Sequence, residues 1–220
     1  MFCPICKQPT TLFFHESLHK RFTYCGYCEN ISLEKTFLLT KQEEKEKYDQ
    51  HQNSLENLGY VAMFEGFLDF FWGELTCQHF LGLDFGSGPT PVLSELMRRR
   101  GASVDCYDKF YQPNPIYTNK LYDFITSTEV FEHLENPLET LRLLSSHLKP
   151  NGLIAIMTLF HHNDKEHFKK WWYPRDLTHI TFYTPKTLEI MGEMCGLSLL
   201  KTDHKRILVL KKCSDAPSLH

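Results

Sequence analysis

The sequence predicts an α/β protein: a mostly parallel sheet covered by helices on both faces, with a small cysteine-bearing module ahead of it. Three observations carry that prediction. From Phe80 onward, short apolar runs alternate with helix-length stretches, the pattern of β-α-β units. One run, "LDFGSGPTP", ends on Asp84 and turns through Gly86 and Gly88 toward a helix. Four of the eight cysteines fall in the first 28 residues, as two Cys-x-x-Cys pairs.

Residues 1–39 form the first block, with "CPIC" and "CGYC" separated by eighteen residues. A tight turn in each pair aims two sulfurs at one point, and Pro4 and Gly26 suit such turns. Cys3, Cys6, Cys25 and Cys28 are therefore predicted to make a four-cysteine tetrahedral site. Zinc suits it; rubredoxin-like iron is the alternative, and a redox dithiol needs only one pair. His15 and His19 are spare potential ligands that read as surface residues. The module is either a structural staple or a surface that binds substrate or partner.

Residues 40–75 read as a helical cap or linker. "TKQEEKEKYDQHQNSLENLGY" is charged and free of proline, and "VAMFEGFLDFFW" is apolar enough to pack. Tyr48 and His51 stand three apart, so one helical face presents both. That face reads either as solvated or, through the Tyr48 ring, as favourable to a cation.

Residues 76–212 form the main domain. Predicted strands cover 80–84, 103–107, 123–127, 152–159, 198–202 and 206–211, with helices near 91–100, 137–147 and 185–195. Thr90-Pro91 and Thr184-Pro185 each place an N-cap threonine before a proline at the first helical position. Gly101 and Gly196 stand where helices stop. Residues 213–220 read as a flexible tail.

A strand entering a helix through glycines makes a cradle at the carboxyl edge of a parallel sheet. Gly88 lets a ligand approach the backbone, and the helix N-terminus offers unpaired N–H groups. A phosphate loop needs Gly-Lys-Ser/Thr, absent here, and a nicotinamide fingerprint wants glycine where Pro91 stands. What remains is Asp-x-Gly-x-Gly. It resembles motif I of the class I S-adenosylmethionine-dependent methyltransferases.

The resemblance extends over residues 76–212. "VDCYD" resembles the second strand, ending on an acid, Asp108, that accepts the ribose hydroxyls. "YDFITSTEVFEHLENP" resembles the fourth-strand motif and "LKPNGLIAIMTLF" the fifth strand. The nearer likeness is to the ubiquinone-biosynthesis-type O-methyltransferases. The resemblance implies a Rossmann-like sheet with a C-terminal antiparallel strand. It implies S-adenosylmethionine as cofactor, with Tyr48, Asp84, Gly86, Ser87, Gly88, Asp108, Lys109, Thr128 and Glu129 around it. Two departures stand out. Thr90 occupies the position of a third glycine. The stretch "KFYQPNPIYTNKL" is too short for the usual helix and third strand, so the usual acid on the adenine does not carry over, and Phe110 or Tyr111 either stacks on the base or simply packs.

Methyl transfer mainly requires alignment of donor and acceptor, and a hydroxyl acceptor also needs a base. His133, His162 and His179 are the candidates, because imidazole titrates near neutrality; His161 stands beside His162. "WWYPRDLTHITFYTP" adds Arg175, Asp176 and Thr178 among aromatics, a composition suited to a lid over the acceptor. For each histidine the other reading is a packed or solvent-facing residue.

Composition limits the rest. Apolar residues make up 42%, charged residues 23%, and the net charge is -3, an ordinary globular balance that argues against a general polyanion binder. The N-terminus lacks a secretory pattern and no run is long enough to span a bilayer, so a cytoplasmic location is expected. A small-molecule acceptor methylated on oxygen leads. An RNA-modifying enzyme that uses the zinc ribbon for substrate, and a non-catalytic adaptor retaining the fold, are the alternatives.

Overall fold

The computed structural model describes residues 1–49, 54–75 and 79–214. His51 and most of the tail lie outside the described residues. The elements are β1 (Thr10–His15), β2 (Lys20–Cys25), β3 (Ile31–Leu33), α1 (Lys41–Tyr48), α2 (Leu58–Phe71), β4 (Leu81–Phe85), α3 (Val92–Arg99) and β5 (Ser103–Tyr107). Then come β6 (Tyr122–Thr128), α4 (Pro137–Ser146), β7 (Leu148–Met157), α5 (Lys165–Lys170), β8 (Thr181–Phe182), α6 (Pro185–Glu193), β9 (Leu197–Thr202) and β10 (Ile207–Lys212).

The larger sheet runs in the order β5-β4-β6-β7-β10-β9. β5, β4, β6 and β7 are parallel, and β10 is antiparallel to both β7 and β9. Because successive strand residues face opposite sides, each strand feeds two cores. Phe124, Leu153 and Val209 pack with Phe67, Phe71 and Met97 of α2 and α3. Ile125, Ile154 and Leu208 pack with Leu141, Leu188 and Met191 of α4 and α6. That double burial is why these strands read as apolar runs rather than alternating ones. Residues 108–121 contribute one bridge, Asp108 to Gln112, and no strand, so the sheet begins at β5.

The start of α6 follows the sequence. Thr184 and Thr187 form a reciprocal capping box with Pro185 in the first turn. The start of α3 does not. Pro91 itself occupies the N-cap position and no side chain caps the helix; Thr90 instead accepts the Val92 amide through its carbonyl at 2.8 Å. Gly101 and Gly196 adopt positive φ, +91° and +71°, which stops the helices as expected.

β1, β2 and β3 make an antiparallel meander, and its fourth strand is β8, from far along the chain. Phe22, Ile31 and Leu33 pack there on Phe168, Tyr173 and Phe182. His15 is buried against Phe22 and Phe168 rather than at the surface, because the hairpin lies down on α5. Among the described residues, no helix is long and apolar enough to cross a membrane.

Candidate functional site

A cavity of about 630 Å³ opens at the carboxyl ends of β4, β5 and β6. The glycine turn forms its floor. Gly86 has φ +89°, and a Cβ there would lie 2.1 Å from Val130 Cγ2. Its amide and that of Ser87 donate to the Tyr107 carbonyl at 2.8 and 3.1 Å. Gly88 has φ +67°, and nothing lies within 4 Å of the place a Cβ would take, so the chain there faces open space. The Ser87 hydroxyl is buried without a hydrogen-bond partner.

Asp84 lies beneath the turn, 1% exposed. Its carboxyl accepts hydrogen bonds from Ser94 at 2.7 Å and Thr126 at 3.2 Å. Burial outweighs these and pushes its pKa up to about 6. Asp108 closes the turn from the end of β5. One oxygen accepts the Gly88 amide at 3.0 Å, and the other accepts the Phe110 and Tyr111 amides at 2.8 and 3.1 Å. The same carboxylate thus fixes both the glycine turn and the loop beside it.

Helix α1 covers one side of the opening. It buries no residue completely and is held by polar contacts. Lys109 pairs with Glu44 at 2.7 Å, and the Tyr111 hydroxyl donates to Asp49 at 2.7 Å. The Tyr48 ring meets Phe110 at 5.6 Å and His133 edge-on at 5.2 Å.

The opposite wall comes from the end of β6 and from residues 171–180. Thr128, Glu129, His133, Tyr173, Asp176 and His179 line it. The His133 and His179 rings meet at 4.8 Å. Nδ1 of His133 donates to the Thr178 carbonyl and Nδ1 of His179 to the Tyr173 carbonyl, each at 2.9 Å. A carbonyl only accepts, so Nδ1 carries a proton in both, and in the neutral ring Nε2 is then the basic nitrogen; that of His179 lies 3.8 Å from an Asp176 carboxylate oxygen. Burial, then the neighbouring His179, drives the His133 pKa down to about 3. Behind them the Tyr173 hydroxyl donates to Glu132 at 2.5 Å and Glu129 at 3.3 Å. Burial pushes both carboxyls up, Glu132 furthest, with the Glu129 charge adding to it.

The fold therefore gathers His133 and His179 but leaves His162 exposed, its ring against His167 at 4.3 Å. His161 turns to the cysteine module, donating to the Glu29 carbonyl at 2.9 Å. Arg175 is exposed and does not line the cavity. Of the aromatic triplet, Tyr173 is buried, Trp171 packs on Phe168, and Trp172 stands 61% exposed at the cavity mouth. Sequence reasoning missed Glu132 and Tyr173 as partners. Glu132 stands in the Glu-His dipeptide of a segment already singled out, but Tyr173 lies 41 residues further on.

Cys3, Cys6, Cys25 and Cys28 converge, with Cys3–Cys28 at 3.5 Å and Cys6–Cys25 and Cys6–Cys28 at 3.4 Å. Metal–sulfur bonds of about 2.3 Å in a tetrahedron give sulfur separations of roughly 3.8 Å. Each residue offers one ligand atom to a common centre.

Comparison with known proteins agrees with this geometry. A family model described as Methyltransferase domain matches residues 81–202. The ubiquinone biosynthesis O-methyltransferase of Aeromonas salmonicida is 27% identical over 128 residues, 54% of this chain and 53% of that protein. The mitochondrial ubiquinone biosynthesis O-methyltransferase of Schizosaccharomyces pombe is 31% identical over 102 residues, 35% of this chain and 37% of that protein. The aligned part thus spans about half or less of these relatives. Among solved structures, a provisional sarcosine dimethylglycine methyltransferase from Galdieria sulphuraria superposes with TM-score 0.52 at 17% identity, over 81% of this chain and 93% of that one. A plantazolicin methyltransferase in complex with a substrate analogue and SAH superposes with TM-score 0.51 at 15% identity, over 79% and 90%. With the family model covering more than half of the chain, the protein belongs to the Methyltransferase domain family.

Proposed function

We propose that the protein transfers a methyl group from S-adenosylmethionine to the oxygen of a small-molecule acceptor, with His179 as the base. The observation that supports this reading most is the build of the cavity. A glycine turn and an acid stand at one end, and two histidines with basic Nε2 atoms stand at the other. Its volume of about 630 Å³ falls in the range of small-ligand sites.

The residues fit the cofactor. Gly88 leaves backbone open to it, the Ser87 hydroxyl is without a partner, and Asp108 presents a carboxylate beside the turn. Phe110 and Tyr48 supply aromatic walls, and Thr128, Glu129 and Lys109 complete the surround. When bound, the cofactor supplies a methyl group on a sulfonium centre. The chain's own residues do the rest. The wall of Tyr173, His133 and His179 excludes water, and Nε2 of His179 takes the acceptor's hydroxyl proton. His133, held at about 3, is too weak a base for that step and acts as a neutral wall. The four cysteines hold zinc, which braces the N-terminal module.

Titration calorimetry with S-adenosylmethionine tests the cofactor. A panel of hydroxyl, amine and thiol acceptors, followed by release of the demethylated cofactor, tests the atom methylated. Binding with turnover only on hydroxyl acceptors is the expected result; no binding ends the reading.

A further inference from the structure

The cysteine module reaches the histidine wall through backbone. β3 leaves the second cysteine pair and runs antiparallel to β8, with Ile31 opposite Phe182 and Ser32 opposite Thr181. The Leu33 amide donates to the Ile180 carbonyl at 2.8 Å, and the Ile180 amide donates to the Glu132 carbonyl at 2.8 Å. Ile180 follows His179 and Glu132 precedes His133, so one ladder of two hydrogen bonds runs from β3 to the backbone of both histidines. Thr181 adds a third strut, donating through Oγ1 to the Leu134 carbonyl at 2.9 Å. Tyr183 adds a fourth, its hydroxyl donating to the Phe131 carbonyl at 2.7 Å.

The other end of the ladder is anchored at the cysteines. The Cys28 carbonyl accepts from Thr187 Oγ1 at 2.8 Å and the Glu29 carbonyl from His161 Nε2 at 2.9 Å. The Glu29 carboxylate accepts from Thr184 at 2.9 Å and pairs with Lys186 at 3.1 Å. The capping residues of α6 are therefore fastened to the cysteine knuckle. The glycine turn and Asp108 belong to the ends of β4 and β5, braced by Tyr107 and Val130 rather than by β3.

β8 is two residues long and sits at the end of its sheet, with β3 as its strand neighbour. A short meander of this kind is marginal by itself, and a small metal module draws its folding free energy from the metal. We propose that the cysteine module is a positioning element for the acceptor half of the site: metal at the cysteines fixes β3, and β3 fixes the orientation of His133 and His179, while the glycine turn and Asp108 stand independently. Leu33, Ile180 and Thr181 are positioning residues in this scheme. The inference rests on the methyltransferase reading for its functional meaning, but its structural content is tested without an acceptor.

Long-range proton–nitrogen spectra of the imidazoles report the tautomer and rigidity of each ring. His133→Gln and His179→Gln identify the two signals. In zinc-loaded protein both rings are expected in the Nδ1–H form. After chelation both signals should move toward the averaged, mixed-tautomer position, while calorimetric S-adenosylmethionine affinity stays unchanged. In zinc-loaded Thr181→Val the His133 signal should shift the same way, and Thr181→Ser should restore it. With an acceptor in hand, Thr181→Val should lower kcat by up to ~10²-fold, the scale of a small misplacement, and leave KM for S-adenosylmethionine alone. Ring spectra identical before and after chelation overturn the proposal, as does cofactor affinity lost in step with the rings. If chelation unfolds the whole chain, the zinc-loaded Thr181 pair decides: wild-type spectra in Thr181→Val overturn it. Failure of loaded wild-type protein to bind S-adenosylmethionine overturns the methyltransferase reading instead, and leaves the spectral comparison standing.

Discussion

His133 and His179 meet edge to face at 4.8 Å, each with its Nδ1 proton committed to a backbone carbonyl of the 171–180 segment. The pair presents two basic nitrogens to one cavity wall, and only their surroundings distinguish them. Removing the base should therefore be asymmetric. His179→Ala is expected to lower methyl transfer by about 10²–10⁴-fold, with cofactor affinity nearly intact. His133→Gln is expected to cost much less. Turnover of both variants on one hydroxyl acceptor checks this, and equal losses would remove the assignment.

Asp108→Ala should weaken S-adenosylmethionine binding by roughly 1.5–3 kcal/mol, the worth of hydrogen bonds to a charged acceptor. The structure adds a reason for the upper end, since Asp108 also holds the Gly88, Phe110 and Tyr111 amides. Calorimetry on the variant measures the loss directly.

The two glycines should respond differently. Gly86→Ala drives a methyl group into Val130 at 2.1 Å from a positive-φ backbone, and overpacking of this kind costs about 1–3 kcal/mol before strain is added. Val130→Ala in the same chain should recover part of it. Gly88→Ala meets open space but keeps a positive φ, so it should cost about 1–2 kcal/mol of stability and act mainly on cofactor affinity. Denaturant melts with parallel calorimetry separate the two effects.

Freshly reduced protein should carry one zinc ion per chain by elemental analysis. Cys6→Ser should lower that stoichiometry and expose residues 1–39 to protease first, because the module loses its metal-derived folding energy. A stoichiometry near zero in fresh material would count against the site.

Stability should also depend on pH through Asp84. Its folded pKa of about 6 lies above the unfolded value near 3.9, so the folded state holds the proton more tightly. Stability contributed by the protonated form is complete below about pH 4 and declines as pH rises to about 6, by roughly 2–3 kcal/mol at most. His133 acts oppositely: its folded pKa of about 3 lies below that of an unfolded imidazole, so its share of stability is present above about pH 6.5 and is lost on acidification. The clean measurement is the difference in melting temperature between wild type and Asp84→Asn. That difference should grow in the variant's favour from about pH 4 to about pH 6 and then stay constant.

Local motifs were legible in the sequence. The glycine turn, the acid at the end of β5, the capping box of α6, the two cysteine pairs and the alternation of strand and helix all depend on a few neighbouring residues, whose backbone preferences act at short range. The missing strand after Asp108 was legible for the same reason, because proline-rich chain of that length has no room for a helix and a strand. Even here Thr90 failed as a cap, since Pro91 took the N-cap position in the turn.

What only the tertiary structure decided is which distant groups meet. One strand-end histidine and one loop histidine entered the cavity while His162, next to the fifth strand of the sequence motif, turned to solvent. Tyr173 found Glu132, and β8 joined the cysteine module's sheet rather than the larger one. None of these pairings has a sequence period or a propensity behind it. They follow from burial: the apolar faces of β3, α5 and β8 must cover one another, and the ionisable groups carried along are then left facing a common, poorly solvated space, which sets their partners and their pKa values.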